Sequence, residues 1–171
     1  MSAASSAPSA ASWVEIARAA ATGSGASAST QPLRQMLTFR LDSSPYAVPI
    51  ERVREIVRVS SITPMPRVPR WLRGVLPLRG EMVEIVDLRL RLGMPDTPLS
   101  RASRIIVLHD DGGGASGLLV DGVNEVVRVP EEALREIDAR DDDRVSAMWE
   151  RDGRFISLLD LDRVLGAGDE R

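Results

Sequence analysis

The sequence predicts an all-β fold made of two similar five-stranded barrel units packed side by side, with only a few short helices. Three observations lead there. The run from Gly80 to Gly93 returns 73 residues later as Gly153 to Gly166 without a gap, keeping Gly80/Gly153, Asp87/Asp160, Leu88/Leu161, Leu92/Leu165 and Gly93/Gly166 identical. Val53-Arg-Glu-Ile-Val-Arg-Val59 matches Val123-Asn-Glu-Val-Val-Arg-Val129 at a spacing of 70. Between these repeats lie short β-rich runs bounded by Gly, Pro and Asp, the pattern of small strands joined by tight turns. A period this long exceeds that of solenoid repeats and marks a duplicated small domain. Small twisted sheets of about five strands tend to close into barrels. Residues 35–100 would form the first barrel half and residues 101–167 the second. Neither is large enough to be comfortable alone, so a shared apolar layer between them is expected.

The elements follow in order. Residues 1–34 are rich in Ala, Ser, Gly and Thr and predict a flexible arm. Within it Trp13, Ile16, Ala17 and Ala20 fall at helical spacing, which reads either as a transient helix or as a short docking helix. Residues 35–41 alternate with period 2 and predict a strand. Asp42 to Pro45 turn the chain, and residues 46–50 return as its partner. Residues 51–56 carry a short helical pattern before residues 57–59 extend. The Pro-rich run 63–69 excludes a central strand. Residues 69–74, with Pro at the start and Gly at the end, predict one helical turn.

Residues 74–93 organise the first half as strand, turn, strand, cap and short helix. Arg79-Gly80 forms the turn, because Gly80 takes a positive φ without penalty. Residues 82–86 are apolar enough to predict a strand covered on both faces. Asp87 suits an N-cap for a helix over residues 88–92, closed by Gly93. The second half repeats this plan. Strands are expected at 104–108 and 116–120 around a Gly-rich hairpin loop, with extension at 126–129 and a helix starting at Pro130. A hairpin over 145–150 and 155–159 then leads to a short helix at 161–165.

There is no cysteine, so disulfides and thiolate metal sites are excluded. No apolar run approaches the length that crosses a bilayer, and the N-terminus lacks a secretory pattern, so a cytoplasmic protein is expected. Net charge is −3, unevenly placed: residues 51–108 hold 11 Arg against 6 acids, residues 109–171 hold 8 Arg against 17. Every cation is Arg. A GC-rich coding sequence accounts for that, as does the suitability of Arg for partner-facing sites.

Catalytic chemistry finds no support. His109, the single histidine, ends a strand beside Asp110 and reads as a surface residue. No Ser has a base partner other than His109. Asp87 and Asp160 are explained better as two equivalent caps than as a carboxylate pair. The acids around 110–111 and 141–143 lack the spacing of a calcium loop. Aromatics are too sparse for stacking on bases, which argues against nucleic acid. What remains is a binding module without cofactor or metal.

Four strings carry a family resemblance: Tyr46-Ala-Val-Pro-Ile-Glu-Arg-Val-Arg-Glu-Ile, Gly74-Val-Leu-Pro-Leu-Arg-Gly-Glu-Met-Val-Glu-Ile-Val-Asp-Leu-Arg, Gly117-Leu-Leu-Val-Asp-Gly-Val and Leu158-Leu-Asp-Leu-Asp. Together they resemble the CheW family of chemotaxis coupling proteins, from about residue 35 to residue 165. The resemblance implies two SH3-like barrels and a scaffold without catalysis. Its implied partners are the regulatory domain of a CheA-type histidine kinase, the cytoplasmic tip of chemoreceptors, and CheW-like paralogues in array rings. Carried over by position, Arg79 and Glu55 would bind the receptor. Ile50, Val53, Leu118, Val120 and Val123 would line an apolar groove for its helix, and Gly74 would lie near the kinase surface. Glu84 and Pro77 depart from the family's usual residues at their positions. Two functions stay open: the array adaptor, recruited to membrane-associated receptors, and a CheW-like scaffold for another process such as polar localisation or motility control.

Overall fold

The structure, a computed structural model, describes residues 32–110, 112–138 and 144–166. The arm up to residue 31, with Trp13, and the acids at 141–143 lie outside them. Eleven strands and two short helices follow one another as β1 (Leu33–Leu41), β2 (Ser44–Pro49), β3 (Val53–Arg58), β4 (Leu72–Leu78), β5 (Glu81–Asp87), α1 (Leu88–Arg91), β6 (Arg104–His109), β7 (Ala115–Val120), β8 (Gly122–Pro130), β9 (Arg135–Glu136), β10 (Val145–Arg151), β11 (Arg154–Leu159) and α2 (Leu161–Leu165).

They form two sheets, ordered β8-β1-β2-β11-β10-β9 and β3-β6-β7-β5-β4. The expected boundary at residue 100 therefore marks the sequence repeat and not the barrels. Each sheet takes its central hairpin from one half of the chain (β1-β2 or β6-β7) and its remaining strands from the other. Replacing each element of one half by its repeat counterpart turns one strand order into the other. The junction is parallel in both, β11 beside β2 and β5 beside β7. Only β9 has no named counterpart strand, and the isolated bridge Thr63–Val75 stands at the matching place in the other sheet.

Period-2 alternation sorts the apolar residues into three layers. Met36, Val127, Val129, Trp149, Ile156 and Leu158 fill the interior of the first sheet. Leu76, Val83, Ile85, Ile105, Val107 and Leu119 fill that of the second. The opposite faces of the same strands, including Leu37, Phe39, Leu41, Ile56, Ile106, Leu108, Leu118 and Val120, meet between the sheets as the expected shared layer, which Leu88, Leu161 and Val164 of the two helices join.

Four local expectations are corrected. The helical pattern at 51–56 yields only a 3-10 turn at Ile50–Arg52, because Val53 and Ile56 are drawn into pairing with β6. Residues 69–74 do not make a helical turn. β4 begins at Leu72 and bulges at Gly74, whose φ of +137° and proximity to Thr63 leave no room for a side chain: a Cβ there would lie 2.0 Å from the Thr63 carbonyl oxygen. The helix expected from Pro130 stops after Glu131–Ala133, since Leu134 packs on the first sheet's interior and β9 pairs with β10. β5 is covered on one face over its first half, with Met82 and Glu84 exposed.

Candidate functional site

The two β-hairpins that carry the repeat turn alike. Arg79 and Gly80 have φ of +50° and +81°, and Asp152 and Gly153 have φ of +51° and +75°. Positive φ at both central residues is the type I′ geometry that suits right-twisted strands. Asp tolerates this conformation, whereas Arg gains nothing from it. The first hairpin thus places a long cation at a position whose backbone does not favour one.

Arg79 is two-thirds exposed, but its guanidinium is held. Nε donates to Glu55 Oε1 and Oε2 at 3.2 and 3.3 Å, and Nη2 donates to Oε2 at 3.1 Å. The Glu55 side chain is only 10% exposed. It projects from β3, where a register irregularity lies between Val53 and Glu55. The neighbouring Arg54 Nη1 donates to Glu81 Oε2 at 2.5 Å. Two ion pairs of opposite sense therefore bind β3 to the β4–β5 turn, and the Arg79 side chain stays largely open to solvent.

The other expected site residues are placed differently. Val53, Leu118 and Val120 are buried in the layer between the sheets, and Ile50 and Val123 are half-buried against it. Of the five, Ile50 and Val123 are therefore the ones with accessible surface. Gly74 is buried in the β4 bulge, close against the backbone of Thr63.

Sequence reasoning missed the charged network at the far end of the β4–β5 hairpin from this turn. Asp87 is the N-cap of α1, its Oδ1 accepting from Leu90 N at 3.2 Å, while Oδ2 accepts from Arg73 Nε at 2.8 Å. Arg73 also donates to Asp96 at 2.6 Å. Arg73 and Asp96, with Ile62, Pro64, Leu99 and Leu119, border an open cleft of about 590 Å³. On α1, buried Arg89 donates to Asp42 in the β1–β2 turn at 2.8 Å and to Asp121 at 2.5 Å. The hydrogen bond from Arg89, aided by its charge and opposed by desolvation, holds the Asp42 carboxyl below its usual value of 3.8. Arg91 Nε and Nη2 donate to the carbonyls of Val164 and Arg163 at 2.9 and 3.0 Å, with the guanidinium 4.2 Å from the Trp71 ring centroid. The signal was the alternation Leu88-Arg89-Leu90-Arg91 in a helix too short to have a solvent face for both arginines. His109 is exposed at the end of β6. Among the described residues no group of three or more His, Cys, Asp or Glu side chains is arranged to hold a metal, and no helix is long and apolar enough to cross a membrane.

The chain is similar in sequence and fold to known proteins. A family model described as the CheW-like domain matches residues 35–168. A chemotaxis protein CheW of Rhizobium meliloti is 34% identical over 141 residues, 77% of this chain and 86% of its own length. That of Thermotoga maritima is 29% identical over 133 residues, with 77% and 87% covered. The crystal structure of the scaffolding protein TtCheW from Thermoanaerobacter tengcongensis superposes with a TM-score of 0.74 at 28% identity, covering 82% of this chain and 98% of that one.

Proposed function

The chain belongs to the CheW-like domain family, and on that premise we propose that it is a non-enzymatic adaptor of a chemotaxis-type signalling pathway. In this reading it couples the cytoplasmic tip of a chemoreceptor to the regulatory domain of a CheA-type histidine kinase, working in the cytoplasm at receptor arrays. The observation that carries it is Arg79. The repeat supplies an internal comparison, since the equivalent turn position in the second half is Asp152, a residue its backbone accepts. A cation kept in an unfavourable backbone conformation and held half-free over a buried carboxylate is preorganised for a partner. Its guanidinium is suited to a carboxylate or to helix-end carbonyls, and Ile50 and Val123 supply apolar contact for a docked helix.

The test is titration of wild type and Arg79→Ala against a receptor-tip fragment and, separately, the kinase regulatory domain. Receptor-tip affinity should fall about tenfold or more, the loss expected of an interface arginine that becomes desolvated. Kinase affinity should stay close to wild type. Equal loss for both partners, or loss for the kinase alone, removes Arg79 from the receptor face.

A further inference from the structure

We propose that Arg58, Arg101 and Arg104 form a second docking surface, specific for a carboxylate-rich protein segment and separate from the Arg79 turn. Arg58 and Arg104 stand directly opposite each other in the antiparallel β3–β6 pair. Like charges so placed destabilise a sheet. Arg58 and Arg101 are exposed, and neither has an ion pair or side-chain hydrogen bond among the described residues. Arg104 donates only to backbone, from Nη1 to the carbonyls of Arg101 and Ser103 at 2.7 and 2.8 Å, which pins its guanidinium beside Arg101.

The duplication shows that the fold does not need this cluster. Arg58 corresponds to Arg128, 70 residues on, and the residue opposite Arg128 is the neutral Gln35. The same strand pair therefore forms in the other barrel without opposed cations. Arg58 and Arg104 continue the rows of Ile56 and Ile106, so the cluster lies at the margin of the layer between the sheets. It is three residues along β3 from Glu55, about 10 Å, and on the opposite face of the strand.

Charge complementarity defines the occupant. All the cations are Arg, whose planar fork pairs with carboxylates in bidentate fashion. An anionic membrane fits poorly, because the chain is net negative and its other barrel exposes Glu131, Glu132 and Glu136.

The experiment is a fluorescence anisotropy titration of the full chain with a labelled Glu-rich peptide at low and physiological ionic strength. Wild type should bind with salt-sensitive affinity, and Arg58→Gln/Arg101→Gln should bind about tenfold more weakly while melting at or above the wild-type temperature. Arg128→Gln and Arg79→Ala should bind the peptide as wild type does, which separates this surface from the receptor turn. The proposal is overturned if wild type does not bind the peptide, if the double variant keeps its affinity, or if its melting temperature falls, which would make the cations structural. It is equally overturned if phosphatidylglycerol vesicles bind where the peptide does not, or if the double variant loses a self-association that wild type shows in sedimentation.

Discussion

At the scale of single residues, equivalent positions in the two halves have been given unequal work. Asp160 is chiefly a cap, accepting from Arg163 N at 3.2 Å, and its only further pairing among the described residues is an exposed 3.5 Å ion pair with the Arg163 side chain, worth little. Replacing it with Ala should cost about 1 kcal/mol, and Asn should restore most of that, because Asn also accepts the backbone bond. Asp87 caps α1 and also holds Arg73, so Asp87→Asn should rescue only the capping share of the loss; equal rescue at both sites in urea melts would deny the second role. Arg79 has a structural share as well. Its removal leaves the nearly buried Glu55 carboxylate without its partner, so Arg79→Ala should lower stability by about 1–3 kcal/mol, more than an exposed pair would. Asp42 sets a pH dependence. Its folded-state pKa is depressed by Arg89, so the linkage stabilises the protein above the ordinary carboxylate pKa of 3.8 and is lost as pH falls through the lower, folded-state value. Asp42→Asn should therefore lower the melting temperature near neutrality and flatten the acid limb of its pH profile; an acid limb parallel to wild type would contradict the link.

The elements show why two short helices matter. α1 and α2 have four and five residues, too few to be stable by their own hydrogen bonds. Each is fixed by an aspartate at its start and by Leu88 or Leu161 and Val164 sunk in the layer between the sheets. α1 does more, because its two arginines reach across to elements of the other sheet: Arg89 to the β1–β2 turn and Arg91 to the last carbonyls of α2. The positions equivalent to these arginines in α2 are Asp162, which makes only a long, exposed ion pair with Arg52 before β3 at 3.7 Å, and Val164, so the buried tie between the barrels comes from α1. Arg91→Ala strips two buried carbonyl partners and the Trp71 contact, and should cost about 2–3 kcal/mol. Asp162→Ala, at an exposed position, should cost less than about 0.5 kcal/mol. Comparable losses in a denaturant titration would show that α1 is not the tie.

For the whole molecule, the exchange of strands makes the two halves of the chain dependent on each other. The β1–β2 hairpin has its neighbours β8 and β11 only in the second half, and β6–β7 has β3 and β5 only in the first. Hairpins without further strands are marginal in water. Fragments 32–98 and 99–166 should each be unfolded alone and should regain native near-ultraviolet circular dichroism when mixed, the cut falling in the exposed loop after α1. A fragment that folds alone would mean that its barrel closes without the exchanged strands.

What the sequence determined by itself was local or repeated. The tight turns at Arg79-Gly80 and Asp152-Gly153, the caps Asp87 and Asp160, the alternating strands and the existence of two similar halves all follow from residues near in the chain. So does the resemblance that selected Arg79 and Glu55. The tertiary structure decided what depends on partners far along the chain. Local propensity at 51–56 and 130–136 favoured helix, but pairing with β6 and β10 gave strands after a single 3-10 turn. Burial of Val53, Leu118 and Val120, the Gly74–Thr63 approach, and the pairing of Arg79 with Glu55 were likewise set by distant segments. The assignment of strands to barrels went the same way, since period-2 patterns state which face is apolar and not which strand lies alongside. Two halves with nearly the same pattern can close separately or exchange, and only the three-layer packing chooses between them.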